Sequence, residues 1–157
     1  MKKHAFLSDY SDIADMHAER LKGSLTKTEH FMPMTADVLS KLPLEQVAFL
    51  DMMSTRFGKL QDIIGAKIFP LILEILGEDA VTFIDKLNRL DKLGYIDDVS
   101  WWMDLRELRN EVMHDYPDDY KAISEHMSIL VVQANKLLQF WEALKKKIEL
   151  LPKKQTP

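Results

Sequence analysis

The sequence contains no cysteine, and among its 157 residues only five are glycine and six are proline. The absence of cysteine excludes disulfides, thiolate zinc sites, iron–sulfur ligation and cysteine nucleophiles, and it suits a reducing compartment. So few glycines and prolines disfavour a fold rich in strands and turns. Positive charge is not in excess either, because the formal net charge is −4. Any contact with nucleic acid must therefore come from a local basic patch or from the groove of an oligomer.

Long apolar runs are also missing. The most apolar stretch, residues 68–76, carries Glu74 and is shorter than the roughly 20 residues that span a bilayer. Residues 1–9 lack the apolar stretch of a signal peptide, because Ser8 and Asp9 follow after only a few apolar residues. With 46% apolar and 29% charged residues the composition is that of a globular protein. We therefore expect a cytoplasmic protein without a membrane partner.

What the sequence has instead is helical periodicity over most of its length. After Pro117, apolar residues recur at alternating steps of four and three, which is typical of a bundle helix. These positions are Ile123, Met127, Leu130, Ala134, Leu137, Trp141, Leu144 and Ile148. A second seam consists of Leu50, Met53, Phe57, Leu60, Ile64, Ile68, Leu71 and Ile75. Gly65 and Pro70 fall within it, and the ring of Pro70 crowds the preceding turn, so we expect a break or kink there.

Three further helices are predicted. One follows Asp9 and ends before Pro33. Another spans residues 79–92, with Val81, Ile84, Leu87 and Leu90 directed inward, and stops at Gly94. The third is capped by Asp97 or Asp98 and runs to about Asp115. No segment alternates polar and apolar residues as a strand does. The sequence thus predicts a single all-α domain over residues 1–157, an up-and-down bundle of about four to five helices, with flexible tails at 1–8 and 152–157.

The helix that ends near Asp115 carries the candidate chemistry. Its predicted core stripe is Trp101, Leu105, Leu108 and Val112. Its spacing predicts an outward polar ridge, formed by Arg106, Asn110 and His114. Arg109, at the edge of the core stripe, lies about 140° around the axis and about 7.5 Å along it from His114. The two side chains cannot stack, but both can reach a group as large as a phosphate.

Residues 109–116 read Arg-Asn-Glu-Val-Met-His-Asp-Tyr and resemble the signature of HEPN-domain toxins, in particular the HepT type. That signature is Arg, four residues, His, one residue and Tyr. The resemblance implies a dimerising all-α bundle and a metal-independent ribonuclease without a cofactor. Its partner would be a small nucleotidyltransferase antitoxin, as MntA is for HepT. On this chain it makes Arg109 and His114 catalytic, Asn110 supporting, and Tyr116 the site of adenylylation. Because Pro117 ends the helix, we expect Tyr116 to be exposed near the cleft.

Two other functions remain open. The chain could be a non-catalytic HEPN partner, or substrate-binding subunit, of a minimal nucleotidyltransferase. It could also be a helical interaction protein with a coincidental motif. A metal site is disfavoured, since the Glu111–His114 pair has di-iron spacing but no second such pair exists. An intrahelical salt link between these two residues is the simpler expectation.

The remaining candidates are RNA contacts and an interface. Arg106 and Trp102 are predicted to lie off the core seam, where they can contact RNA or face a second copy across a two-fold axis. Trp101 and Trp141, by contrast, lie on predicted core seams. Lysines 145–147 with Lys153 and Lys154 form a basic cluster, either a solvated helix end or an RNA contact. Arg56 could add to a cleft but has no predicted position, and His17 is expected at the surface or half-buried.

Overall fold

The helices of the bundle are defined over residues 2–112 and 119–153, which are the residues that the computed structural model describes. All regular structure in these ranges is helical, so the predicted all-α class is confirmed. The elements are α1 (Lys2–Thr28), a 3₁₀ turn (Glu29–Phe31), α2 (Ala36–Ser40), α3 (Leu44–Ile63), a π-helical turn (Ile64–Ile68), α4 (Phe69–Ile75), α5 (Phe83–Lys92), α6 (Val99–Val112) and α7 (Tyr120–Glu149). None of these helices is long and apolar enough to cross a membrane.

Helices α1 and α3 are antiparallel neighbours. Lys27, at the end of α1, lies over the ring of Phe49, near the start of α3. At the other end of the pair, Lys67 lies over the ring of Tyr10. Helices that run in opposite directions produce this crossed order of contacts.

Helices α6 and α7 are also antiparallel. Near the start of α6, Trp101 Nε1 donates a hydrogen bond to Gln133 Oε1 at 2.8 Å. Near its end, Glu111 Oε2 lies 3.8 Å from Nε2 of His126, close to the start of α7.

Helix α6 also runs opposite to α3, because Trp102 near its start lies on Gly65, just beyond the end of α3, and Arg109 near its end lies on Gly58. The helices α1, α3, α6 and α7 therefore alternate in direction, as predicted for an up-and-down bundle.

The predicted interruption between Gly65 and Pro70 is present as the π-helical turn between α3 and α4. Proline has no backbone N–H, and in an α-helix its ring would clash with the carbonyl four residues earlier. A wider π turn accommodates both effects without ending the helical path. Gly77, whose φ is +70°, then lies just beyond the end of α4.

The long C-terminal helix confirms its predicted seam. Five seam residues are buried: Leu130, Ala134, Leu137, Trp141 and Leu144. Asp119 caps the helix, because its side chain accepts a hydrogen bond from the backbone N–H of Ala122 at 3.0 Å. Trp141 is fully buried, and its Nε1 donates to Asp15 of α1, which ties α7 to α1.

Two expectations at the ends of elements are wrong. Residues 2–8 are not a flexible tail, because α1 already begins at Lys2 and Leu7 is buried against the core. The helix expected from residue 79 begins only at Phe83, since Thr82 caps it by accepting from Asp85 N. Val81 therefore precedes the helix and is exposed. Ile84, in the first turn, is exposed as well, whereas the next two inward positions, Leu87 and Leu90, are buried as predicted.

Helix α6 begins as predicted. Asp98 Oδ1 accepts a hydrogen bond from the backbone N–H of Trp101 at 3.1 Å, which is an N-cap contact. The predicted end of this helix near Asp115 and the predicted tail at residues 154–157 lie outside the described residues.

Candidate functional site

The motif arginine lies across α3 rather than pointing away from the bundle. Arg109 Nη2 donates to Asp62 Oδ2 at 2.5 Å, and Nη1 donates to Asn110 Oδ1 at 3.4 Å. Its aliphatic stem covers Gly58, where an added Cβ would lie 3.4 Å from Arg109 Cγ. The guanidinium is therefore held by a carboxylate of α3, an amide of α6 and the surface of α3.

This arrangement depends on two glycines that face α6. Gly58 and Asp62 are four residues apart on α3, and Gly65 follows in the π-helical turn that continues its path; all three contact side chains of α6. On α6, Trp102 and Arg109 are seven residues apart, which is about two turns. The antiparallel pairing places Arg109 on Gly58 and Trp102 on Gly65. Two large side chains of α6 thus fit where α3 and the π-helical turn each have a glycine.

The ion pair between Asp62 and Arg109 is only partly shielded from water. The side chains keep 47% and 33% of their accessible surface, respectively. At this exposure a salt bridge contributes about 0–1 kcal/mol to the free energy of unfolding. Its main effect is therefore to direct the guanidinium. The Arg109 Nε atom is buried and has no partner within the described residues.

The polar ridge predicted on α6 is confirmed for its two described members. Arg106 and Asn110 are both exposed. The Arg106 guanidinium lies 4.2 Å from the centre of the Phe83 ring on α5, a cation–π contact. The other motif residues, His114 and Tyr116, fall between residues 112 and 119, outside the described ranges, so their predicted roles and exposure stay predictions.

The prediction that Trp102 lies off the core seam, where it could contact RNA or a second copy, is wrong. Its side chain is fully buried, 4.8 Å from Phe69 and 5.5 Å from Phe140 between ring centres. Trp101, which was predicted to be core, is only partly buried. The physical reason is that α6 packs against both α3 and α7, so it buries a wider arc than one narrow seam predicts.

The end of α6 and the start of α7 are connected by side chains on either side of residues 113–118. Glu111 contacts His126, and this contact joins α6 to α7. Within residues 2–112 and 119–153, no group of three His, Asp or Glu side chains could hold a metal ion. The expected salt link between Glu111 and His114 lies partly outside these ranges.

A second polar site, which the sequence pattern did not predict, occurs on the opposite side of α3. Nη1 of Arg56 lies 3.0 Å from Nδ1 of His17, which is buried although it was expected at the surface or half-buried. Burial lowers the pKa of His17 below its ordinary value of 6.5, and the charges of Arg56, Lys59 and Arg20 lower it further. The imidazole is therefore neutral at pH 7, and its Nδ1 accepts the hydrogen bond from Arg56. One signal was present, because His17 lies within the buried helical pattern of α1.

The basic cluster near the end of α7 is partly neutralised. Lys145 Nζ lies 2.9 Å from Asp15 and 3.0 Å from Glu142, and its side chain is partly buried. Burial lowers the pKa of Lys145, but the hydrogen bonds and charges of both carboxylates outweigh this effect and raise it. Lys145 therefore links α7 to α1 and is not a free cation for RNA.

Comparison with known proteins does not identify a family for this chain, so a proposed function depends on the motif and on the geometry around Arg109. No protein-family model, no curated protein and no solved structure matches the chain. The chain is an all-α helical bundle in which the motif arginine is oriented by a carboxylate of the neighbouring helix.

Proposed function

We propose that the chain is a HEPN-type, toxin-like endoribonuclease that cleaves RNA without a metal ion. The observation that carries the proposal is the placement of Arg109, which Asp62 and Gly58 hold at the surface of the bundle five positions before His114. A guanidinium held in one orientation suits bidentate binding of a phosphate. Arg109 has five N–H donors, and those not bonded to Asp62 or Asn110 can serve an incoming oxyanion.

The proposed reaction is a transesterification within the RNA chain. The 2′-oxygen attacks the adjacent phosphorus, the bond to the 5′-oxygen breaks, and a 2′,3′-cyclic phosphate remains. His114 takes the proton of the 2′-hydroxyl or supplies the proton to the leaving 5′-oxygen, because imidazole titrates near neutral pH. Arg109 stabilises the negative charge that develops on the phosphorane-like transition state. Asn110 supports the orientation of Arg109.

The proposed assembly is a homodimer with a nucleotidyltransferase partner in the cytoplasm. The exposed ridge of Arg106 and Asn110 provides a polar surface for a second copy across a two-fold axis. Transfer of AMP to Tyr116 would add a phosphate beside Arg109, and this phosphate would compete with RNA for the guanidinium. Modification would therefore switch the nuclease off.

The proposed function is tested by cleavage of labelled RNA in the presence of EDTA. We expect the wild-type protein to cut, and Arg109→Ala to reduce the rate by about 100-fold or more. His114→Ala should reduce the rate comparably. The matched control is Arg89→Ala, which removes an exposed arginine of α5 outside the motif and the proposed interface and should retain most activity. Failure of the wild-type protein to cut, or equal losses in all three variants, contradicts the proposal.

A second candidate function is favoured by the same contact. Asp62 already accepts a hydrogen bond from the Arg109 guanidinium, so this arginine has a structural role without any substrate. A non-catalytic HEPN partner of a nucleotidyltransferase would retain the contact. Adenylylation at Tyr116 without RNA cleavage, detected by mass spectrometry after co-expression with such an enzyme and absent in Tyr116→Phe, would identify this alternative.

A further inference from the structure

Three cations lie in a row along the groove between α1 and α3. Arg56 contacts His17 at the centre of the row. Arg20 follows His17 by one turn of α1, and Lys59 follows Arg56 by one turn of α3. Because the two helices are antiparallel, Arg20 and Lys59 extend in opposite directions from the central pair. Arg20 and Lys59 are exposed, and Arg56 is partly buried.

The positive charge of this row is not compensated. No salt bridge joins Arg20, Arg56 or Lys59 to a carboxylate in the part of the chain that the structure describes. Asp62, one turn beyond Lys59, is engaged by Arg109. The partner that orients Arg56 is an imidazole, which burial and the three surrounding cations keep neutral. A carboxylate in that position would have cancelled the charge, whereas His17 orients the guanidinium and leaves its charge intact.

The row also leads towards the motif arginine. Arg56, Lys59 and Asp62 succeed one another at steps of three residues on α3, about 4.5 Å of rise each. Each step turns by about 60°, from the side that faces α1 towards the side that faces α6. An extended polyanion seated at Arg109 would therefore pass Lys59 and reach Arg56.

We propose that Arg20, Arg56 and Lys59 form a binding track for the phosphate backbone of single-stranded RNA that leads to Arg109. This inference rests on the proposed ribonuclease function for the identity of the polyanion. Such a track contributes affinity without reading sequence, since it contacts phosphates and not base edges. In a protein with a net charge of −4, a row of this kind also gives a polyanion a local site of attraction.

The test measures binding of wild-type, full-length protein to fluorescein-labelled, single-stranded 2′-O-methyl RNA by fluorescence anisotropy. This RNA cannot be cut by attack of a 2′-hydroxyl, so binding is separated from cleavage. The decisive variant carries Arg20→Gln and Lys59→Gln, because both side chains are exposed and the fold should tolerate their loss. The matched control carries Lys92→Gln and Lys136→Gln, which removes two exposed charges from α5 and α7.

We expect the track variant to bind about ten-fold more weakly at low salt, with circular dichroism unchanged. The slope of log affinity against log salt concentration should become less negative by about 1.4, which is about 0.7 for each lost phosphate contact on a single strand. The control pair should leave affinity and slope close to wild type. The inference is overturned if the wild-type protein does not bind, if the track variant binds like wild type, or if both pairs lose affinity equally.

Failure of this inference is distinguishable from failure of the proposed function. If the protein cleaves ordinary RNA in a way that requires Arg109 and His114, but binding does not depend on Arg20 and Lys59, the track is refuted and the nuclease function stands. If binding depends on Arg20 and Lys59 but no RNA is cleaved, the track stands and the nuclease function is refuted.

Discussion

Helix α3 orients one arginine on each of two sides, and the two sides use different chemistry. On the side that faces α6, Arg109 reaches across Gly58 and is met by the carboxylate of Asp62. On the side that faces α1, Arg56 of α3 itself is met by the neutral imidazole of His17. The first arginine is oriented and partly neutralised, whereas the second is oriented and keeps its full charge.

The difference indicates which kind of phosphate ligand each side of α3 suits. A guanidinium held by a carboxylate has one fixed direction, which a site for a single phosphate in a transition state requires. A row of uncompensated cations produces a field over a longer distance, which suits the attraction and alignment of a chain of phosphates. The same residue type therefore serves two purposes that depend on its partner.

Removal of the tryptophan that supports the α6 side should have the largest effect. Trp102 is fully buried against Phe69, Phe140 and the surface of Gly65, so Trp102→Ala should lower the free energy of unfolding by about 3–5 kcal/mol. Trp101→Ala, at a partly buried position in the same helix, is the matched control and should cost less. Urea unfolding of both variants measures the difference, and an equal or larger loss for Trp101→Ala would show that the assignment of the core is wrong.

Separate substitutions of Asp62 and Arg56 should distinguish the orientation of Arg109 from the attraction of RNA. Asp62→Asn removes the charge that directs Arg109, so kcat for RNA cleavage should fall about ten-fold with little change in KM. Arg56→Gln should raise KM several-fold and leave kcat unchanged, because it removes attraction of the substrate alone. Asp51→Asn, an exposed carboxylate elsewhere on α3, is the control. The different roles of the two sides of α3 are contradicted if Asp62→Asn changes only KM or if Arg56→Gln changes only kcat.

The pH dependence contributed by His17 should be the smallest effect. Burial and then the charges of Arg56, Lys59 and Arg20 hold the pKa of His17 below 6.5 in the folded state. Below pH 6.5 the unfolded chain therefore binds more protons at this residue than the folded protein does. The free energy of unfolding should consequently decrease as the pH falls through this window, and the contribution should be constant above it.

Thermal unfolding at a series of pH values checks this expectation. His17→Gln retains a hydrogen-bond acceptor for Arg56 but cannot titrate, so its melting temperature should decrease less than that of the wild type as the pH falls from 7 to below 6.5. Parallel pH profiles for the two proteins would show that His17 does not have a lowered pKa.

Several features of this protein could be predicted from the sequence because they depend on contacts within a few residues. The seam of α7 follows from the repeat of 3.6 residues per turn, the interruption before Pro70 from a missing N–H, and the cap of α6 from the side chain of Asp98. The polar ridge of Arg106 and Asn110 follows in the same way from i, i+4 spacing.

Only the tertiary structure decided which partners those faces meet. Periodicity specifies the angle between side chains on one helix, but not how many neighbours cover it. It therefore placed Trp101 inward and Trp102 outward, although α6 lies between α3 and α7 and buries Trp102. The pairs Arg109–Asp62 and Arg56–His17 join residues 47 and 39 positions apart, a separation at which no local rule acts. Their geometry depends on the packing of α3 between α1 and α6, because only that packing brings these side chains within hydrogen-bond distance.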